Sequence, residues 1–565
     1  MNKLKVLIMG RAMVPLFLLL NSISLFGENI ELKYSIGGKG GDQGYSVTND
    51  NNGNIIITGI YSDTFDIDPG IGIVQLLPKG LNDAFIAKFD SSGQFIWGKG
   101  ISGYQIEFIS SVKTDSLNNI ILCGYFESTV DFDLGPNLFE LTSIGNQDAF
   151  LLKLNSDGNF IWAKQFGGKS KDEANALIIG ENGIIYVTGS FIDTVYNYIS
   201  NKLVTNISNG SYDVFLTKYN SNGKLIWAKS FGGKYEDIGN GISVDSKGFI
   251  FFIGSFTSKV DFDPGIHLDE HACSLGGLNT FISKFDSQGN YQKVITIGSL
   301  GLDHGYSVAI DQNDNMIICG TSSGEMEMVI DSVKSNYMGN GVLLIKFDSL
   351  SHLVWLKSFG KSMYNSGNSV VCDINNDIYI IGLFEDSINL DQKNFYSEGG
   401  SDVFIAKISA QGDVVWANSF GGKESDEGWS IAAIRPDNIV ATGLFYDVGY
   451  INNDKNESLK SNGNFDAFYF QMANHPLSVN KILPKNNLVY YPNPFEEKLT
   501  ILLPKQFINV KIKTIDIMGS TYNLDAFEQF DDSVVIDFSG LPKGLYTLIV
   551  EVNENVMQCF KIIHN

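Results

Sequence analysis

Carboxylates recur in this chain at spacings that suit a cation. One position, ten residues after a recurring tryptophan slot, holds Asp42, Glu107, Asp172, Asp237, Asp303, Asn365 and Asp426, with a one-residue gap needed ahead of Asp303. A fold that arranges the copies in a ring sets six carboxylates around one mouth, where they attract a cation or a cationic ligand. The competing reading is local: each carboxylate caps backbone N–H groups of its own Gly-Gly turn or pairs with a lysine. A second pattern, D-x-D-x-G, occurs at Asp66 and Asp68, Asp131 and Asp133, and Asp261 and Asp263. Alternate carboxylates are how a Ca²⁺ loop begins, so these six are the candidate metal ligands, with calcium as the ion. The glycine at the sixth position and the glutamate at the twelfth are missing, however. In a strand, Phe132 and Phe262 point inward while the Asp pairs face solvent, which reads as a structural edge or turn.

Other candidates are weaker. His267 and His271 are four apart, but the flanking residues carry no helical pattern and the zinc-protease form H-E-x-x-H is absent. A lysine recurs at Lys88, Lys153, Lys218, Lys284, Lys346 and Lys407, with Gln471 in the seventh place. Its apolar neighbours favour an aliphatic stem packed between repeats and a paired ammonium. No G-x-S-x-G, phosphate loop or dinucleotide fingerprint is present, and six histidines yield no convincing Ser/His/Asp set. No catalytic residue and no cofactor site is assigned.

The elements that must position these residues are short strands. In Tyr212–Gly233 two aromatic and β-branched runs flank Asn-Ser-Asn-Gly, a hairpin turn whose Gly supplies positive φ. The stretch recurs. Its lysines are spaced 65, 65, 66, 62, 61 and 64 residues apart, and a strand-ending glycine keeps step at Gly59, Gly124, Gly189, Gly254, Gly320, Gly382 and Gly443. Two markers with one period define seven copies of a four-stranded unit, the pattern of a β-propeller. The fourth strand carries Trp97, Trp162, Trp227, Val294, Trp355 and Trp416 in its slot, which makes six. Leu32 supplies the seventh, so the N-terminal strand is expected to complete the last unit and leave no sheet edge open.

Composition agrees. The 565 residues are too many for one ordinary core unless the fold is repetitive. Glycine (59 residues) and aromatics (12%) favour turns and strands. A net charge of −23 argues against nucleic acid and anionic membranes and is compatible with an extracellular, cation-attracting protein. Five cysteines are no disulfide framework. Cys123 and Cys319 share a place held elsewhere by Thr58, Thr188, Ile253, Ile381 and Thr442, and read as small core residues.

Residues 1–27 read as a signal peptide: Lys3, Lys5 and Arg11 precede the apolar run Met13–Leu20, which is too short to span a bilayer. The repeats occupy 28–472 and a linker occupies 473–488. No stretch after the signal is long and apolar enough to be transmembrane. The repeat pattern W-A-K-x-F-G-G, D-x-x-G-N, T-G-x-F, D-F-D-P-G and D-A-F-x-x-K is similar to the seven-bladed propeller repeats of bacterial secreted proteins, a likeness that implies a fold but no common reaction. From 489 to 565 the strands alternate as in a small β-sandwich, here expected to be Ig-like. Tyr491-Pro492-Asn493-Pro494-Phe495, Asp516-Ile517-Met518-Gly519, Leu541-Pro542-Lys543-Gly544-Leu545-Tyr546 and Lys561-Ile562-Ile563 resemble the type A C-terminal sorting domain of the type IX secretion system. The resemblance implies the secretion machinery as a partner and a secreted or outer-membrane cell-surface destination.

The expectation is therefore an all-β, exported binding or scaffold protein for an extracellular glycan or protein. Specificity is expected in the variable segments between the second and third strands. A secreted polysaccharide hydrolase or lyase, or a structural adhesion component, are the rivals. A glycosidase needs a carboxylate pair unique to one copy.

Overall fold

The computed structural model describes residues 30–70, 72–199, 202–265, 267–273, 277–331, 333–390 and 393–473. Beyond these it describes 489–491, 498–502, 510–516, 521–523, 527–530, 533–538, 541–552 and 555–564. The expected signal peptide and residues 474–488 of the expected linker lie outside these ranges. Contacts divide the chain into two units, Glu28–Ala473 and one that holds Asn474–Asn565.

The larger unit consists of antiparallel four-stranded sets that follow one another along the chain. The first set runs Gln43–Asn49, Ile55–Tyr61, Asp83–Phe89 and Phe95–Ile101, paired in that order. Equivalent sets begin at Glu107–Thr114, Asp172–Ile179, Asp237–Val244, His304–Ile310, Ser366–Cys372 and Glu427–Arg435. The last of these receives its fourth strand from the other end of the chain. Ile30–Ile36 pairs antiparallel with Asp454–Ala473, with Leu32 opposite Gln471. In the other sets the same register places Trp97 opposite Lys88, Trp162 opposite Lys153 and Trp416 opposite Lys407. Leu32 thus stands in the tryptophan slot, as its sequence position implies. One assignment shifts: Lys284 faces Lys293, so the fourth copy's slot holds Lys293 and Val294 is its neighbour. With that correction Asp303 falls ten residues later without a gap.

Both faces of each set are buried, which is why the second and third strands read as near-continuous apolar runs. Ile55–Tyr61 and Asp83–Phe89 are buried at every position. Each apolar cluster draws on two consecutive sets. Ile86 of the first packs with Ile109 and Leu122 of the second, and Leu344 of the fifth packs with Ile380 of the sixth. The series returns on itself: Val47 and Ile57 of the first set share a cluster with Val440, Ala467 and Ile36 of the seventh. The first strands are likewise neighbours in a closed cycle, with Gln43–Asn49 beside both Glu107–Thr114 and Glu427–Arg435.

Polar contacts between sets repeat with the sequence. The indoles of Trp97, Trp162, Trp227 and Trp355 lie against Gly158, Gly223, Gly289 and Gly412 in the hairpin turn of the following set. A Cβ on Gly158 would meet the Trp97 ring at 3.0 Å, and φ there is +74°. Glycine is therefore needed both for the turn and for the neighbour's indole. Serine hydroxyls accept the backbone amide of the next set's first strand: Ser46 from Val112, Ser111 from Leu177, Ser307 from Val370, Ser369 from Ile431, and Ser430 from Val47. The last of these joins the seventh set to the first.

Of the smaller unit, two four-stranded antiparallel sheets are described, one with Lys498–Leu502 and Ser533–Asp537 at its centre, the other with Val510–Asp516 and Gly544–Val552. Leu499, Ile536, Phe538 and Tyr546 are buried within it, and the Tyr546 hydroxyl donates to the Pro542 carbonyl at 2.6 Å.

Removing Ile30–Ile36 leaves Asp454–Ala473 as an open edge. The truncated chain is expected to melt several degrees lower and to form concentration-dependent oligomers on size-exclusion chromatography. A synthetic peptide of residues 28–38 is expected to reverse both effects.

Candidate functional site

The acidic position is fully buried. Asp42, Glu107, Asp172, Asp237, Asp303, Asn365 and Asp426 each have no exposed surface. Each carboxylate accepts an amide of the turn that leads into its own strand: Gly38 N–H to Asp42 at 2.6 Å, Gly103 to Glu107 at 2.7 Å, Gly168 to Asp172 at 2.7 Å, Gly233 to Asp237 at 2.6 Å, Ser299 to Asp303 at 2.5 Å and Gly422 to Asp426 at 2.7 Å. Asn365 instead accepts from the Glu385 amide at 2.9 Å. The ring of acids is therefore a ring of caps, the local reading of the two. Most face a second buried acid, the Asp that opens the preceding set's third strand. Glu107 meets Asp83, Asp172 meets Asp148, Asp237 meets Asp213, Asp426 meets Asp402, and Asp42 meets Asp466. Burial, with the neighbouring carboxylate adding to it, pushes Asp42, Asp237 and Asp426 up to about 7 and Glu107, Asp172 and Asp402 up to about 8. Two carboxylates so placed hold a proton between them in the folded state.

The D-x-D-x-G residues act on their own backbone. Asp66 accepts from the amides of Asp68 and Val74, Asp131 from Asp133 and Phe139, and Asp261 from Asp263 and Asp269, at 2.9–3.2 Å. Asp68, Asp133 and Asp263 accept from Gly70, Gly135 and Gly265 at 2.8–2.9 Å. These bonds close small hairpins between the second and third strands. Ile67, Phe132 and Phe262 are buried beneath them, and the three pairs sit in three different sets. His271 lies on the short strand Glu270–Ala272, where its Nε2 is 3.1 Å from Asp269, and His267 is exposed. Neither is on a helix.

Four of the six recurring lysines form ion pairs, and Lys218 and Lys284 do not. Lys88 meets Asp50 at 3.0 Å, Lys153 meets Asp115 at 2.8 Å and Lys346 meets Asp311 at 2.9 Å, all nearly buried. Lys88, Lys153, Lys218 and Lys346 also donate to carbonyls in the next set's hairpin turn, and Gln471 does the same to Ser91 of the first set. Among the described residues, Asp373, Asp377 and Asp437 converge closely enough to hold a metal ion. The Lys407 ammonium sits there, bonded to Asp377 and Asp437. Burial pulls this ammonium down, and the two carboxylates more than reverse it, leaving it raised.

The repeats differ at two side chains of the first strand, the residue after the capping acid and one two residues further on. Each first strand carries a β-bulge three residues after the capping acid, in the same register in all seven. A bulge turns its side chain away from the packed faces. The bulged residues are Tyr45, Ser110, Asn175, Asn240, Tyr306, Asn368 and Trp429. Asn175, Asn240 and Asn368 donate to the main chain of the following set's first strand, at Gly239, Gly305 and Gly428. The Tyr45 ring lies 5.8 Å from Trp429 and 4.3 Å from Phe108, which stacks on Tyr125 at 5.0 Å with 5° between planes. Glu427 lies beside Tyr45 and Glu173 beside Tyr125, and the burial of each raises its carboxyl. Across the cycle His304 stacks on Tyr306, and its imidazole is held down by burial. None of these residues stands out in the sequence, because the bulge that exposes them has no residue signature. The visible signal is that this column varies between two columns of mostly small residues, and that the column two residues before it varies as well.

With this geometry in place, comparison with known proteins decides the C-terminal unit. Residues 489–565 match the family model described as Secretion system C-terminal sorting domain. That match indicates export to the cell surface or secretion and handling by the secretion machinery. The remainder is similar to a WD repeat-containing protein, L264, of Acanthamoeba polyphaga mimivirus, 25% identical over 538 aligned residues that cover 78% of this chain and 38% of that protein. It is also similar to the regulatory protein FlaEY of Caulobacter vibrioides, 26% identical over 187 residues, 33% of this chain and 19% of the other. The chain thus spans well under half the length of these relatives. Among solved structures, the Pan2 WD40 domain of Neurospora crassa aligns with a TM-score of 0.37 at 8% identity, covering 78% of this chain and 90% of that one. No helix among the described residues is long and apolar enough to cross a membrane.

Two measurements check the buried acids and the calcium question. The folded state keeps protons on the paired carboxyls up to pH about 7–8, whereas the unfolded chain releases them near the ordinary carboxyl value of about 4. The unfolded state binds fewer protons throughout that window, so stability falls as pH rises through it. The melting temperature is expected to drop between pH 5 and pH 9, and Asp402→Asn is expected to flatten the slope. For calcium, the Oδ1 atoms of the D-x-D-x-G pairs already accept amides, so EDTA is expected to leave the melting temperature unchanged; a fall of several degrees would restore Ca²⁺ to these residues.

Proposed function

We propose that the chain is an exported, ligand-binding seven-bladed β-propeller carried out of the cell by its C-terminal sorting domain. In this reading each four-stranded set is a blade and the first strands line a central channel. The strand Ile30–Ile36 closes the seventh blade, and residues 489–565 form an Ig-like sandwich. The closed cycle of first strands and of apolar clusters supports the ring. The larger unit extends over Glu28–Ala473 and so agrees with a propeller domain at 28–472.

One observation carries the binding role. Seven bulges of the same register carry Tyr, Ser, Asn, Asn, Tyr, Asn and Trp. The capping acids, the strand-ending glycines and the Trp–Gly contacts recur in most sets. A purely structural ring has no need of a varied inner column, whereas a ligand site requires one. The hairpins between second and third strands do vary, but they brace neighbouring strands. The extended hairpin of the fifth set pairs with the fourth set's outer strand, and that of the seventh pairs with the sixth's. Recognition is thereby assigned to the inner bulges ahead of those peripheral segments. The ligand is extracellular, since the sorting domain directs the chain outward.

The test is a thermal-shift screen of soluble saccharides, amino acids, amines and short peptides on the full chain and on a Tyr45→Ala/Trp429→Ala variant. At least one compound is expected to stabilise the native chain alone, by several degrees. Compounds that stabilise both proteins equally, with none specific to the native chain, would overturn the assignment.

A further inference from the structure

Going around the cycle from the seventh set to the third, the first strands and one second strand bring together Glu427 and the bulged Trp429, the bulged Tyr45, Phe108 with Tyr125, and then Glu173. Four aromatic rings are bracketed by two carboxylates. The rings form a contiguous row from the seventh set to the second, two contacts tilted and the last stacked, with centroid separations of 5.8, 4.3 and 5.0 Å. The carboxyls of Glu427 and Glu173 form no ion pair and no hydrogen bond to a described residue. Lys171 is the one cation that acts on Glu173, from beyond ion-pair distance. Of the lysines of the repeat, four are committed to Asp50, Asp115, Asp311, Asp377 and Asp437, Lys218 to the Ser287 carbonyl, and Lys284 lies over the rings of Phe249 and Phe251. Most other buried or half-buried acids of the larger unit have a partner, an amide, an ammonium or a second acid, whereas Glu173 and Glu427 have none.

Resting on the propeller reading above, we propose that this acid–aromatic arc binds an organic cation, an ammonium or guanidinium group on an aliphatic body. Aromatic faces attract such a group through their quadrupoles, and more strongly where water is excluded. Two half-buried carboxylates without counter-ions supply the complementary charge, and a bound cation would remove the cost that burial imposes on them. A net charge of −23 draws cations toward the protein and repels anions. A hydrated metal ion fits less well, because stacked rings offer it no oxygen ligands. A neutral saccharide is the rival ligand: it would stack on the same rings.

Titration calorimetry on the full chain, with ionic strength held by NaCl, separates these. The probes are tetramethylammonium, spermidine, a blocked Gly-Lys-Gly tripeptide and cellobiose. Saturable binding of at least one cationic probe is expected, with cellobiose silent. Spermidine binding without the tripeptide assigns a free amine, and the converse assigns a peptide side chain. Glu173→Gln and Glu427→Gln, which keep shape and lose charge, are each expected to weaken binding by roughly ten- to hundredfold. Tyr125→Leu is expected to weaken it while circular dichroism and melting stay native. Cation binding that is unchanged in both Gln variants would overturn the proposal. So would cellobiose binding that Tyr45→Ala/Trp429→Ala abolishes, although the site itself would then stand. Binding of no probe, together with a screen showing no dependence on the bulged residues, would remove both the cation and the site.

Discussion

The larger unit depends on the pairing of its two ends. Ile30–Ile36 lies against Asp454–Ala473, with the hydroxyl of Ser35 bonded to the Asp466 carboxylate and Ile36 buried in the cluster shared by the seventh and first sets. Bringing segments more than 400 residues apart together has an entropic cost, but that cost grows only with the logarithm of the loop. The alternative is a long strand with an open edge and an apolar face exposed on each side of a gap. Because each cluster draws on two sets, a missing contact at the junction exposes the faces of two sets at once. Closure therefore sets the cooperativity of the entire cycle.

Within the cycle, stability comes from a few contacts used many times. An indole rests on a glycine of the next set, a serine hydroxyl takes the next set's amide, and a lysine reaches the next set's turn while pairing with its own. Each is worth little alone, about 1 kcal/mol for a typical hydrogen bond. Repetition and burial make them count, and each has a sequence consequence. The turn glycine is fixed by the neighbour's indole as much as by its own φ. The buried acid pairs show the same economy at a different cost: each caps a turn that would otherwise carry unsatisfied amides, and in return retains a proton that alkaline solution removes.

This explains what the sequence shows and what it hides. Period, strand order, the role of Leu32 and the sorting domain are written in residues that recur or that match a specific motif, so they can be read directly. The capping function of Asp42 and its equivalents is also readable, because a residue repeated in every copy at a glycine turn has a local job. The fourth copy's slot is misread by one position. Lys293 is polar where the other copies carry tryptophan or leucine, and the aliphatic Val294 beside it makes the better visual match; only the pairing of Lys293 with Lys284 resolves the register. The bulged column is invisible for a different reason. Its residues alternate with glycine and serine in a pattern that looks like ordinary strand alternation, and only the one-residue register slip reveals that they leave the packed face.

That slip is also what lets one backbone serve two purposes. Residues that face neighbouring sets are constrained on both sides: a larger side chain at Gly239 or Gly428 would strike Val214 or Ile381 of the preceding set. The bulged residue between such positions escapes the constraint, because the extra residue is not part of the ladder. It can be Ser in one set and Trp in another without disturbing the clusters that hold the ring. Seven such positions, brought into one cycle by closure, form a surface whose chemistry can change while the fold stays fixed. From the seventh set to the second that freedom has been used most heavily, since there Trp429, Tyr45 and Ser110 replace the amides that elsewhere bond to the adjacent strand. Residues of this column that bond to the next set tie the sets together; the others are free of that duty.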